Sequence, residues 1–81
     1  MTYKRIYKET WGDGSPRLYG YSCNENPAIE IRVDWSDCWY RGGTPYVSGY
    51  ALFINGESRQ CTQTLKEAKE WAEYYTTKAS N

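Results

Sequence analysis

The 81-residue chain contains no histidine. That absence removes the usual general base and the commonest nitrogen ligand for a transition metal. Cysteine is scarce: Cys23, Cys38 and Cys61 are odd in number and widely spaced, and no C-x-x-C occurs. Zinc-finger, zinc-hydrolase and haem-attachment patterns are therefore excluded, and no metal or cofactor is expected. Long apolar runs are missing as well. The longest, Tyr50 to Ile54, falls far short of the ~20 residues of a membrane helix, and no secretory leader pattern is present. The expectation is a cytoplasmic protein with reduced thiols and no membrane contact. A Cys23–Cys38 or Cys38–Cys61 bridge is the alternative. Neither sign of charge is in excess: Lys and Arg number 10, as do Asp and Glu. Zero formal net charge disfavours a general nucleic-acid binder, which carries a basic surface, and an acidic nucleic-acid mimic alike.

Aliphatic side chains are few, and aromatic ones take their place: four Trp, nine Tyr and one Phe. Each large ring can bury roughly 150–250 Å², so Trp and Tyr can supply a core. They are more numerous than one helix-on-sheet core can hide. Exposed Trp and Tyr are the usual anchors of a binding surface. The plainer explanation for any single Tyr is its preference for strands.

The most legible stretch is Tyr50 to Tyr75. Tyr50 to Ile54 reads as a strand, Asn55-Gly56 as a type I′ turn, and Glu57 to Cys61 as the return strand. Counting from the turn pairs Ile54 with Glu57, Leu52 with Arg59 and Tyr50 with Cys61. Thr64 and Glu67 have the spacing of a capping box, in which each side chain satisfies the other residue's backbone N–H. The helix that follows carries Leu65, Ala68, Ala72 and Tyr75 on one stripe, with Trp71 beside it, and ends near Thr77. Lys66/Glu70 and Lys69/Glu73 stand at ion-pair spacing on its polar side. Lys78 to Asn81 is expected to fray.

Upstream, residues 1–11 read as a first strand with a Tyr-bearing face and a basic cluster of Lys4, Arg5 and Lys8. Lysines of that kind commonly guard a sheet edge. Gly12 to Pro16 is a turn by composition. Arg17 to Cys23 is a second strand, with Gly20 as a bulge position. Asn24 to Pro27 turns the chain again. Ala28 to Trp35 is the cleanest strand, with Ile29, Ile31, Val33 and Trp35 alternating with Glu30, Arg32 and Asp34. Gly42-Gly43-Thr44-Pro45 is a flexible connection without phosphate-loop spacing. The chain reads as a single α+β domain: an antiparallel sheet of four or five strands with one C-terminal helix packed on one face. Strand order is not encoded in any of these signals.

The densest unusual cluster is Asp34-Trp35-Ser36-Asp37-Cys38-Trp39-Tyr40-Arg41. Trp, Tyr and Arg are the residue types enriched where interfaces are strongest. Parity makes Trp35 a core residue. Asp37, Trp39, Tyr40 and Arg41, with Tyr46 nearby, are candidates for partner contact; the alternative is a structural turn capped by the aspartates. Asp34 and Asp37 alone make no reaction centre, and Cys38 has no adjacent base to form a thiolate. No catalytic residue is assigned, and the expectation is a protein without enzyme activity.

Two resemblances add to this. Gly49 to Gly56 with Cys61 to Ala72 resembles the sheet-plus-helix pattern of integrase amino-terminal, arm-type DNA-binding domains, over residues 46–78. The related ethylene-response-factor domains share it. That resemblance implies a three-stranded sheet in a nucleic-acid groove with a helix behind it. Lys4, Arg5, Lys8, Arg41 and Arg59 would then meet phosphates. In size, aromatic excess and layout the chain also resembles the small accessory proteins of phages and mobile elements, such as anti-CRISPR and other anti-defence inhibitors. That resemblance implies a cytoplasmic protein of an infected bacterium that blocks a large host complex by surface contact. Contact with a protein partner is the leading expectation, and a small nucleic-acid-binding domain the second.

Overall fold

Asn55 and Gly56 adopt φ of 54° and 81°, the left-handed pair a type I′ turn requires. Around that turn the computed structural model describes residues 2–36 and 46–79, with the backbone alone at 78 and 79. The strands are β1 (Tyr3–Thr10), β2 (Pro16–Cys23), β3 (Ile29–Ser36), β4 (Tyr46–Ile54) and β5 (Glu57–Thr62), followed by helix α1 (Leu65–Ala79). They form one antiparallel sheet in the order β1-β2-β3-β4-β5, so every strand pairs with its neighbour in sequence.

The last hairpin corrects the simple count. Ile54 faces Glu57 as expected, but Arg59 is an extra residue in β5. Leu52 therefore faces Gln60, Ala51 faces Cys61 and Tyr50 faces Thr62. Side chains alternate with period two, so one inserted residue exchanges the two faces beyond it. Thr62 is thereby buried, and its hydroxyl donates to the Thr64 carbonyl at 2.9 Å, closing the entry to α1. Cys61 is left exposed.

A second bulge falls beside Gly20, where the sequence predicts one. Ile6 faces Gly20 and Tyr7 faces Leu18, leaving Tyr19 without an opposite residue. At Gly20 β2 also has no room for a side chain beside β3: a Cβ there would lie 2.3 Å from the Ile31 carbonyl oxygen.

The core is small and sits under the helix. Ile29, Ile31, Leu52, Ala68 and Ala72 are fully buried, and Cys23 nearly so. Each large aliphatic among them contributes about 1.5–3 kcal/mol on burial. Tyr3, Tyr21, Tyr50, Ile54, Leu65 and Tyr75 pack around them, so tyrosine fills part of the space that aliphatic side chains would occupy. Glu30, Arg32 and Asp34 alternate with the buried residues of β3, as their parity requires.

The helix opens with half of the expected box. The Glu67 N–H donates to the Thr64 hydroxyl at 3.2 Å. That hydroxyl in turn donates to the Glu67 carboxylate at 3.1 Å, in place of a bond from the Thr64 backbone. At the other end α1 continues to Ala79, past the expected stop near Thr77.

The helix packs across β3, β4 and β5. Outside its cover Trp35 packs edge-on against Trp11, centroids 5.0 Å apart, and its indole N–H donates to the Leu18 carbonyl at 2.9 Å. Trp35 is thus half-buried in a second aromatic cluster and is not part of the helix-covered core. The molecule is elongated. Its radius of gyration is 14.0 Å, against roughly 12 Å for a compact chain of this length.

Candidate interaction surface

Of the residues singled out for partner contact, Tyr46 stands at the start of β4 opposite Ser36 and is 53% exposed. Asp37, Trp39, Tyr40 and Arg41 lie outside the described residues, as do Cys38 and the Gly42–Pro45 connection. The basic set is separated. Lys4, Arg5 and Lys8 are exposed on β1, while Arg59 is on β5 and ion-paired with Glu57 at 3.0 Å. β1 and β5 are the two edges of the sheet, about 19 Å apart at normal strand spacing. Arg41, the remaining member, also lies outside the described residues.

The most exposed indole that the structure describes is on the helix. Ala68 and Ala72 fill the inward positions, and their small side chains bring α1 close to the sheet. Trp71 is 36% exposed, where the sequence pattern places it beside the buried stripe. Tyr74, one turn on, is 50% exposed. The two rings meet edge to face, centroids 5.5 Å apart at 84°. Tyr75 completes the group, 5.8 Å from Trp71 and 5.6 Å from Tyr74. Such pairs add about 0.5–1.5 kcal/mol beyond area burial, so the rings brace one another. The signal for this patch was present in the sequence. Trp71 and Tyr74 each fall one position before a residue of the inward stripe, Ala72 and Tyr75.

Two grooves flank the polar side of the helix and share Glu70. A groove of about 470 Å³ between α1 and β1 is lined by Tyr3, Leu65, Lys66, Lys69, Glu70 and Glu73. The Lys69 ammonium lies over the Tyr3 ring, 5.2 Å from its centre. A second groove, of about 460 Å³, is lined by Glu67, Glu70, Trp71 and Tyr74. The expected Lys66/Glu70 and Lys69/Glu73 ion pairs do not close; among the described residues the pairs are Arg17–Glu9, Arg32–Glu30 and Arg59–Glu57. Lys69 instead places its ammonium over the Tyr3 ring.

The face of the sheet opposite the helix carries a row of cations on rings. The Arg32 guanidinium lies 3.9 Å over Phe53 and 5.7 Å from Tyr19, whose ring also lies 4.5 Å from the Lys8 ammonium. A groove of about 410 Å³ runs beside Arg32 and Phe53, past Gly49, Ala51 and Cys61.

No known family, curated protein or solved structure matches this chain.

Among the described residues no group of three or more metal-ligating side chains converges. No described helix is long and apolar enough to cross a membrane. What the described surface offers is a braced aromatic patch on α1, and on the other side a sheet face with cation-capped rings.

Proposed function

We propose that this chain is a binding protein that engages a protein partner by surface contact, with the outer face of α1 as its anchor. One observation carries the reading: the Trp71 indole is exposed beside the buried Ala68 and Ala72 and braced by Tyr74 and Tyr75. A rigid, exposed Trp–Tyr pair is the type of group that dominates interface energetics when a partner covers it. The resemblance to anti-defence inhibitors supports a large bacterial defence complex as the partner, blocked by occlusion. Tyr46 and the Trp39–Arg41 segment are proposed as further contacts.

The test is capture of a partner from bacterial lysate by the wild-type chain and by Trp71→Ala. Truncation of a central interface Trp removes about 2 kcal/mol or more, so capture should fall at least roughly thirtyfold. Circular dichroism and the melting curve of the variant should stay close to wild type. Undiminished capture by a folded Trp71→Ala would remove α1 from the contact.

Nucleic-acid binding is the second reading, supported by the Lys8–Tyr19–Arg32–Phe53 row on the open sheet face. Guanidinium and ring faces of that kind stack on unpaired bases. Retardation of single-stranded nucleic acid that weakens steeply with salt, and is lost in Arg32→Ala, would favour it.

A further inference from the structure

We propose that the far half of the β1–β2 hairpin, residues 7–19, is a hinged arm that swings on the rest of the sheet, and that the Trp35 indole is its latch.

The hinge lies where one strand ladder stops and its neighbours continue. β1 and β2 stay paired from Tyr3–Cys23 out to Thr10–Pro16, and β3 and β4 stay paired out to Ser36–Tyr46. Between them, β2 and β3 pair only at Ser22–Glu30, Tyr21–Ile31 and Gly20–Arg32. The sheet therefore divides beyond Gly20. Next to that point each strand of the hairpin carries an extra residue, Lys8 in β1 and Tyr19 in β2. A bulge interrupts the ladder and bends its strand, so two at one level make a line of flexure.

The arm is tied more closely to itself than to the sheet. Within it, Arg17 pairs with Glu9 at 3.4 Å and lies over the Trp11 ring at 4.9 Å. At its tip the Trp11 N–H donates to the Ser15 carbonyl at 2.8 Å, and the Gly14 N–H to the Trp11 carbonyl at 2.9 Å. The Asp13 carboxylate accepts from the Ser15 N–H and hydroxyl at 2.9 and 2.6 Å. The two extra residues meet, with the Lys8 ammonium 4.5 Å from the centre of the Tyr19 ring. Towards β3, beyond Gly20, three polar and ring contacts join the described residues. They are the Trp35 indole N–H on the Leu18 carbonyl, the edge-on Trp11–Trp35 pair, and Arg32 at 5.7 Å from the Tyr19 ring. Two of the three run through Trp35. The Leu18 carbonyl, past the end of the β2–β3 ladder, takes an indole N–H in place of a strand amide. Swung away, the arm would bare both indoles and the side of β3 that faces β2 beyond Arg32. Collective motions of this kind run on microseconds to milliseconds.

The experiment is nitrogen relaxation dispersion on the full chain. Backbone amides of residues 7–10 and 17–19 should report exchange at one common rate, while those of Ile31 and Leu52 stay flat. Trp35→Phe keeps a ring and removes the N–H. The detached population should then rise by roughly two- to twelvefold, the weight of one ordinary hydrogen bond. Trp11→Leu removes the edge contact and leaves the indole bond. It should raise the population by a similar factor, and it carries the test if Trp35→Phe does not fold. Amide shifts of Ile31 and Leu52 that stay at their wild-type positions establish that each variant is folded. Flat profiles along the arm, different rates in its two strands, or exchange shared equally by Ile31 and Leu52 would overturn the proposal. So would a population that a folded Trp35→Phe leaves unchanged. None of these outcomes touches the contact proposed for α1.

Discussion

The Arg32 guanidinium lies over the ring of Phe53, 3.9 Å from its centre, bridging two adjacent strands on the face the helix leaves open. Glu30, two residues before Arg32 on the same face, holds the guanidinium from the side at 3.5 Å. A stacked cation of this kind is worth about 0.5–1 kcal/mol at a partly exposed site. A double-mutant cycle with Arg32→Gln and Phe53→Leu, read by urea unfolding, should return a coupling of that size. A coupling indistinguishable from zero would mean the stack is geometry without energy.

Gly20→Ala should destabilise by about 1–3 kcal/mol, the usual range for overpacking. The new Cβ would meet the Ile31 carbonyl oxygen at 2.3 Å and the Arg32 Cα at 3.1 Å, both backbone atoms that no rotamer change can move. β2 must shift from β3 or the bulge at Tyr19 must rearrange. Gly12→Ala, where nothing lies within 4 Å of the added atom, is the matched control.

Tyr3→Phe should leave stability unchanged or raise it by up to about 1 kcal/mol, because an unsatisfied buried hydroxyl is a penalty the phenyl ring does not carry. The Tyr3 hydroxyl is buried with no hydrogen-bond partner among the described residues. Burial, with negative charge nearby, pushes its pKa up to about 12. The folded value lies above the unfolded one of 10.0, so this contribution is complete below pH 10 and is lost as pH rises through about 12. In Tyr3→Phe the alkaline fall in melting temperature should be shallower.

Acid stability should depend on Glu25. Its carboxylate accepts the Thr2 backbone N–H at 3.0 and 3.1 Å and the Thr2 hydroxyl at 2.9 Å. Those bonds, the backbone one foremost, hold its pKa down to about 2 from an ordinary 4.5. A depressed folded value stabilises above the unfolded pKa, and the benefit is lost as pH falls from 4.5 towards 2. Glu25→Gln should show a smaller loss of melting temperature over that interval. Equal acid slopes in the two proteins would remove Glu25 from the account.

Local signals in the sequence reached far into this fold. Asn55-Gly56 specified its turn, Thr64 and Glu67 placed the helix start, and the alternation of Ile29 and Ile31 with Glu30 and Arg32 marked the inner face of β3. These features are decided by neighbours a few positions away. The register beyond Phe53 is not. The bulge at Arg59 follows from the need to bury Thr62 and expose Cys61, a tertiary demand that an alternating hairpin pattern does not carry. The exposure of Trp71 was legible, because helical spacing sets it beside the inward stripe of Leu65, Ala68 and Ala72 and not on it. Of the expected contact set, Tyr46 is exposed, while Asp37, Trp39, Tyr40 and Arg41 fall outside the described residues.

The helix lies over β3, β4 and β5 and leaves the far end of the β1–β2 hairpin to the Trp11–Trp35 pair, the Trp35 indole bond to Leu18 and the contacts of Arg17 with Trp11 and Glu9. One sheet therefore holds two tempos of opening. Backbone amides near Thr10 and Arg17 should trade deuterium with solvent well before those of Ile31 and Leu52, which are released only when the whole molecule lets go.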